Sequence, residues 1–257
     1  MQFNIRTMLR RLLPLWLGGG VVAIWAVIAR SGLLPASVLP SPLDVWNALT
    51  AELLSGRLPR DLVASLYRVV YGFLLSILIG IPLGLYLGTF LAARRAALPY
   101  INFLRSLSPL AWIPFAILWF GIGDAPAIFL IFMSTFFPLV ISTVAAVANI
   151  PAVYFRIGRE YHFTRLETFR KIMIPAIGPQ IITALRVTIG IAWVVVVAAE
   201  MIAGNDGLGF AIWDARNGMR MDLLVAGMIS IGATGVMLDR MIYSLSSIPS
   251  VRWGYEQ

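Results

Sequence analysis

The sequence predicts an all-α, polytopic membrane protein, and three observations carry that prediction: continuous apolar runs, few charges and unevenly placed basic residues. Mean hydropathy is +0.86, with 60% of residues hydrophobic and 12% charged, about half the charged fraction usual in a soluble domain. The apolar runs reach the roughly 20 residues that a helix needs to cross hydrocarbon. They are continuous rather than alternating, which excludes the strands of an outer-membrane barrel. Six crossings are expected.

The first run, Leu12 to Ala29, follows Arg6, Arg10 and Arg11 and is read as a retained anchor, with a signal peptide as the other reading. A Pro- and Ser-punctuated stretch follows. Within it Val45, Trp46, Leu49 and Leu53 recur at helical spacing, which predicts an interfacial amphipathic helix over Pro42 to Leu54. The second span runs from about Leu62 to Leu91, with Arg94 and Arg95 marking its far end. The third, Leu107 to Phe120, is short because Pro109 and Pro114 interrupt it. A Gly121-Ile122-Gly123-Asp124 turn ends it. The fourth covers Ala127 to Val147, with a bend expected at Pro138. A polar stretch over 149–180 precedes the fifth span, Ile181 to Ile202. The sixth is Leu223 to Ile248, after a Gly-containing loop, Asn205 to Asp222. The chain thus divides into residues 1–61, an anchor with its amphipathic segment, and a core over 62–257.

Thirteen of the 20 basic residues fall on one side of these spans. Only Arg30, Arg57, Arg60, Arg216 and Arg220 fall on the other, while Arg68 and Arg186 lie within spans. Basic residues collect on cytoplasmic loops, so both termini and the 149–180 loop are expected in the cytoplasm. The net charge of +8 is read as this topology and not as a nucleic-acid footprint.

Cysteine is absent and His162 is the only histidine. Disulfides, thiolate or multi-histidine metal sites and redox chemistry are therefore excluded, and no catalytic residue or metal ligand is assigned. A phosphate-binding P-loop needs a Gly-Lys-[Ser/Thr] ending. The single lysine, Lys171, lies between Arg170 and Ile172, so this chain has no such loop. A Ser-His-Asp system is equally improbable with one histidine far from the intramembrane acids Glu200 and Asp239. The glycines from Gly80 to Gly88 are read as close-packing positions. Charges in spans must face protein, water or one another. Arg68 and Asp239 are read as snorkelling end-of-helix residues, and Arg186 and Glu200 as members of structural ion pairs, with a place for some of the four along a solute path as the other reading.

The polar loop from Pro151 to Pro179 is basic and amphipathic, with Phe155, Ile157, Tyr161, Leu166, Phe169 and Ile172 at helical intervals. Periodicity alone fits either a helix lying on headgroups or one gripped by a partner.

The chain resembles the permease subunits of ABC importers, in the branch that carries nitrate, bicarbonate, taurine and other sulfonates. The resemblance covers most of the chain. It rests on Leu39-Pro40-Ser41-Pro42, the Ser108 to Asp124 segment (SPLAWIPFAILWFGIGD), the Ala199 to Asn217 segment (AEMIAGNDGLGFAIWDARN) and Asp222 to Ala233. It implies a type I importer fold whose cytoplasmic loop carries an EAA motif that docks on a separate ATPase. Ile174-Pro175 matches the motif's ending and Phe169 its aromatic position. The front half departs from the pattern: Arg156, Ile157 and Gly158 stand where Glu-Ala-Ala is usual, and His162 where a glycine is usual. The resemblance assigns coupling to Arg156, Ile157, Gly158, Arg159, His162, Arg165, Phe169 and Pro175. It places ATP and magnesium on the partner ATPase and leaves this chain without a cofactor.

The implied assembly has two ATP-binding subunits, a second permease copy, and a periplasmic or lipid-anchored solute-binding protein at a bacterial inner membrane. Hydroxyl and indole donors suit a weak anion path, so Ser108, Trp112, Ser134, Thr135, Thr188 and Trp193 are the path candidates. Gly207, Gly209, Trp213 and Arg216 are expected at a periplasmic lip. The competing readings are a secondary transporter, which would need paired inverted repeats, and a scaffold anchoring a cytosolic enzyme.

Overall fold

The computed structural model describes residues 5–33, 35 and 37–244, with side chains from residue 16 onward. Arg252, the last residues of the expected sixth span and the side chains of Arg6, Arg10 and Arg11 lie outside the described residues. Among the described residues every regular element is helical: α1 (Ile5–Arg30), α2 (Pro42–Leu54), α3 (Arg57–Thr89), α4 (Leu91–Ser106), a 3-10 turn (Pro109–Trp112), α5 (Ile113–Phe120), α6 (Asp124–Ala148), α7 (Ala152–Glu160), α8 (Arg165–Thr168), a π turn (Phe169–Met173), α9 (Ile174–Ala203), α10 (Leu208–Asn217) and α11 (Met221–Ser244). These fall into two compact units, one within residues 1–60 and 211–230, the other within 61–210 and 231–257.

In the first unit, α2 occupies the expected amphipathic segment. It starts at Ser41 because the Ser41 hydroxyl accepts from the Asp44 N–H while the Asp44 carboxylate accepts from the Ser41 N–H, and Pro42 fits the first turn, where no amide donor is needed. Val45 and Ala48 bury against Ala226, with Trp25, Leu49 and Leu223 around them. The Trp25 indole donates to the Pro40 carbonyl at 3.0 Å. Arg57 pairs with Asp214 at 2.5 Å.

The second unit is built on α6, whose Leu130, Ile131, Leu139 and Val140 are fully buried and whose most extensive packing is against α9. Between helices in lipid, close approach and hydrogen bonds do the work that hydrophobic burial does in water. α3 supplies both. A side chain at Gly84 would stand 2.5 Å from Thr143 Cβ, and the Ser76 and Thr135 hydroxyls meet at 2.5 Å.

Four helical stretches among the described residues are long and apolar enough to cross a bilayer: Arg57–Thr89, Asp124–Ala148, Arg165–Ala203 and Met221–Ser244. The Arg165–Ala203 stretch, at 39 residues, exceeds the roughly 20–25 that hydrocarbon requires. Its polar first turns, with Arg165, Glu167, Arg170 and Lys171, therefore stand outside the apolar layer. The apolar part of α1 that is described, Trp16–Arg30, is shorter.

The expected third span is corrected. Residues 91–106 and 109–120 form a broken pair bent by 84°, not one interrupted crossing over 107–120, so the described residues do not show six separate crossings. The break lies at Leu107 and Ser108, both extended, with ψ of 132° and 128°. A residue before proline is pushed out of the α region, and Pro109 does this to Ser108. Pro114 interrupts nothing, because it sits in the first turn of α5, where its missing N–H is not needed. Pro138 lies inside α6 without ending it.

Candidate functional site

The second unit has two poles. At one, the end of α3, the end of α6 and the start of α9 converge. Ala146, Val147, Met173 and Ile177 bury together there, with Leu85, Ile150, Phe155 and Phe169 packed on them. At the other, the first turns of α3, the start of α6 and the end of α9 are joined by charge. α3 and α6 therefore run in the same direction and α9 against them, and residues 90–123, which hold the broken pair, return from the first pole to the second.

The charged pole centres on Arg68, 3% exposed, and Glu200, 1% exposed. Arg68 Nη1 donates to Glu200 Oε1 at 2.7 Å and to the Asp206 carbonyl at 2.9 Å. Its Nε donates to Asp124 Oδ1 at 2.6 Å, and its Nη2 to the Asp206 carboxylate. The second Glu200 oxygen accepts from Ser65 Oγ at 2.8 Å and from the Gly209 N–H at 2.9 Å. Ser65 Oγ in turn accepts from the Leu208 N–H at 2.9 Å, and buried Asp61 accepts from the Gly207 N–H at 3.4 Å. Every strong donor and acceptor of the buried pair is thus engaged, which a charge far from water demands.

The glycines of this loop are dictated by its close approach to the end of α9. Gly207 has φ +99°, and a Cβ there would lie 2.5 Å from the Glu200 carboxylate; one at Gly209 would lie 2.3 Å from the Val197 carbonyl. Arg68 is therefore no snorkelling residue but the hub of a clasp that ties α3, α6 and α9 together. Asp239 does not stand alone at a helix end either, since it pairs with Arg186. Asp61, Ser65, Asp124 and Asp206 were not anticipated as members of such a cluster. The sequence signal for them was the intramembrane Arg68 and Glu200, which had to find partners.

At the opposite pole the loop is folded on itself. α7 ends in a hydrogen-bonded reversal: the Phe163 N–H donates to the Gly158 carbonyl at 2.8 Å and the His162 N–H to the Arg159 carbonyl at 3.0 Å, a helix-ending pattern that places its penultimate residue in the left-handed region. His162 has φ +52°, so it occupies a conformation that glycine adopts freely. Gly158 is buried, and a side chain there would lie 2.8 Å from Ile172 Cδ1. α8 begins with a second capping box, Thr164 with Glu167. The Glu167 carboxylate also pairs with Lys171 at 2.8 Å. These partners hold its pKa down at about 2, the Lys171 ammonium first and the Thr164 N–H and hydroxyl after it.

Of the expected coupling residues, Arg156, Ile157, Arg159, His162, Arg165 and Pro175 are exposed, Gly158 is buried and Phe169 is half-buried. Val153, Tyr154, Ile157, Tyr161 and Leu166 add exposed apolar surface. Phe169 faces inward and also lines an apolar cleft of about 740 Å³ with Pro82, Leu85, Phe90, Phe155 and Phe163.

The expected path residues do not form one group. Thr135 and Thr188 are buried, and each donates to a carbonyl of its own helix, Ile131 and Ala184, at 2.8 and 2.7 Å. The buried Trp193 indole donates to the Ile231 carbonyl at 3.0 Å. Ser134 donates to Ile131 at 2.8 Å and with Trp112 lines a small cavity of about 40 Å³. Ser108 is exposed at the break before the 3-10 turn. At the expected lip, Gly207 and Gly209 are buried against Glu200, while Arg216 lies over the Trp213 ring at 5.5 Å. Among the described residues no group of three or more metal-ligating side chains converges.

Among the described residues, the apolar helices of the second unit are tied by charge at one pole and carry an amphipathic basic loop at the other. Residues 76–250 match the family of binding-protein-dependent transport system inner membrane components, and the chain belongs to that family, the non-catalytic permease subunits of ABC importers. It is 36% identical over 243 residues to the bicarbonate transport system permease protein CmpB of Synechococcus elongatus, covering 90% of this chain and 86% of that one. It is 33% identical over 222 residues to the putative aliphatic sulfonates transport permease protein SsuC of Bacillus subtilis (86% and 80% covered). It is 37% identical over 187 residues to the nitrate import permease protein NrtB of Leptolyngbya laminosa (73% and 67% covered). Among solved structures, an inward-facing MetNI methionine ABC transporter chain shares the fold, with a TM-score of 0.61 at 20% identity over 76% of this chain and 98% of that one.

Proposed function

We propose that this permease carries a small oxyanion inward and is driven by a separate ATPase that grips the 152–173 loop at the cytoplasmic face. The observation that carries the reading is the loop pole itself. An exposed apolar and basic surface, Val153, Tyr154, Ile157, Arg156 and Arg159, sits on the short helix α7, whose Phe155, together with Phe169 of the π turn, packs onto the end of α6 and the start of α9. A push on such a surface moves whole spans as rigid bodies, the kind of shift that alternating access requires. Relatives named for bicarbonate, nitrate and sulfonates support an anion as cargo.

In this reading both termini face the cytoplasm, ATP and magnesium are held by the ATPase, and the charged pole faces outward. A solute-binding protein delivers cargo near Trp213 and Arg216, and a second copy of this chain completes the path. Ser108, Trp112 and Ser134 remain its candidate polar contacts, whereas Thr135, Thr188 and Trp193 act by holding the helices that shape it. The test is a double change of Ile157→Asp and Leu166→Glu, both on exposed side chains. The variant is expected to fold and insert but to lose co-purification with the ATPase. Retained co-purification contradicts the docking assignment.

A further inference from the structure

Arg186 and Asp239 form a second ion pair within the apolar helices, and it differs from the Arg68 clasp in one respect. Arg186 Nε and Nη2 donate to Asp239 Oδ1 and Oδ2 at 2.5 and 2.7 Å, a two-pronged fork, and the Tyr243 ring lies 4.9 Å from the guanidinium carbon. Yet the two side chains are 45% and 43% exposed, where Arg68 and Glu200 are 3% and 0%. Arg186 stands 12 residues into α9, roughly 18 Å along it, well inside the apolar stretch. Ionisable side chains at that depth do not face lipid; they face protein or water.

The surface around the pair mixes small residues with exposed apolar ones, Met237 and Met241 among them. On α9 Thr183, Val187, Gly190 and Val194 share the exposed stripe with Arg186, and on α11 Gly232, Ala233 and Val236 are exposed. A side chain added at Gly190 or Gly232 would meet nothing within 4 Å, so the stripe is open at both positions.

Resting on the anion-import reading above, we propose that the Arg186–Asp239 pair lines the solute path and that Arg186 is where a small oxyanion pauses, displacing the Asp239 carboxylate. The guanidinium fork binds a carboxylate through two parallel N–H bonds, and any oxyanion with an O–X–O edge offers the same geometry. Asp239 competes for the fork. That competition keeps the stop weak, as conduction requires, and the Tyr243 face keeps the guanidinium plane in place when the carboxylate leaves.

The chain contains no cysteine, so Gly190→Cys and Gly232→Cys each supply a single thiol. In membranes holding the whole transporter, both are expected to react with a membrane-impermeant charged thiol reagent. Reaction only with a lipid-soluble maleimide, or with neither, overturns the proposal, because the stripe then faces lipid or a second copy. The neutral pair R186Q/D239N removes both charges and the guanidinium fork and keeps side chains that can still hydrogen-bond. It is expected to lower uptake of nitrate, bicarbonate or an alkanesulfonate, whichever the unchanged protein imports, by roughly tenfold or more, while binding-protein-stimulated ATP hydrolysis persists. Unchanged uptake in R186Q/D239N beside active wild type overturns this inference alone. A wild type that imports none of the three removes the anion reading, and this inference with it.

Discussion

Arg68 on α3 and Glu200 on α9, 132 positions apart in the chain, share a 2.7 Å hydrogen bond while both are almost fully enclosed. The pair is worth most through what its loss would strand. Breaking a buried ion pair by removing one partner typically costs about 3–5 kcal/mol, whereas replacing both costs far less.

Arg68→Met is therefore expected to destabilise the chain severely, since Glu200 keeps only Ser65 and the Gly209 N–H as partners. Asp124 and Asp206, which are 53% and 46% exposed, can turn to water. The double variant Arg68→Met, Glu200→Gln should recover much of the loss. Thermal unfolding of the detergent-solubilised protein measures both. Equal damage in the single and double variants would show that the clasp acts through packing and not through charge.

Gly207→Ala tests the same cluster from the backbone side. Its φ of +99° and the 2.5 Å approach to the Glu200 carboxylate leave no place for a methyl group, and a left-handed residue of this kind costs about 1–3 kcal/mol before the clash is relieved. Gly190→Ala is the control, because its Cβ would meet nothing within 4 Å and alanine favours a helix by roughly 1 kcal/mol. A melting temperature that falls for the first and holds or rises for the second is the expected pair of results.

The contrast between these two glycines marks where the sequence was legible. Apolar run length located the spans over 57–89 and 124–148 and the start of the one at 221, and found α9 with its start set seven residues late, at Ile181, since a membrane crossing is a composition signal. Ser41-Pro42 with Asp44 located α2, since a cap is local chemistry. The break at Ser108 was placed inside a span because Pro109 and Pro114 look alike in sequence, although one precedes a helix break and the other opens a helix. The clasp was beyond local reading. Nothing near Asp124 or Asp206 reports that both will meet Arg68, 56 and 138 positions away; only the need of Arg68 and Glu200 for partners was visible. Likewise the hydroxyls of Thr135 and Thr188 read as solute contacts, yet each is consumed by a carbonyl one turn back.

Acid should loosen the loop at a definite point. Glu167 is held down to about 2 from an unfolded value of about 4.3. A carboxylate with a depressed folded pKa contributes stability that is complete above its unfolded value and lost as pH falls through the folded one. The Thr164–Glu167 turn is therefore expected to keep its protection from neutral pH to about 4.3 and to lose it between there and about 2. Hydrogen exchange of the Glu167 and Thr168 amides, corrected for intrinsic rates, reads this out. In Glu167→Gln the same amides should exchange faster at pH 7, and protection unaffected by that change would remove the capping box from the account.

His162→Gly offers the opposite sign from most substitutions. His162 holds φ +52° at the reversal where the Phe163 N–H reaches the Gly158 carbonyl. For a residue with a Cβ that conformation costs roughly 1–2 kcal/mol. Glycine avoids the clash but loses more entropy on folding, about 0.5–1 kcal/mol, so the net expectation is a stabilised loop with a gain of no more than about 1.5 kcal/mol. The resemblance drawn from the sequence implies a glycine at this place, and the backbone offers a reason: the reversal needs a left-handed residue, and this chain fills it with histidine. If that cost is retained for stability alone to absorb, His162→Gly should slow tryptic cleavage at Arg159 and Arg165 and leave ATP-driven uptake at the wild-type rate. If the imidazole contacts the ATPase, the same change will slow cleavage and still reduce uptake. A variant cleaved faster than the wild type would show that the His162 side chain holds the loop through contacts that outweigh its backbone strain.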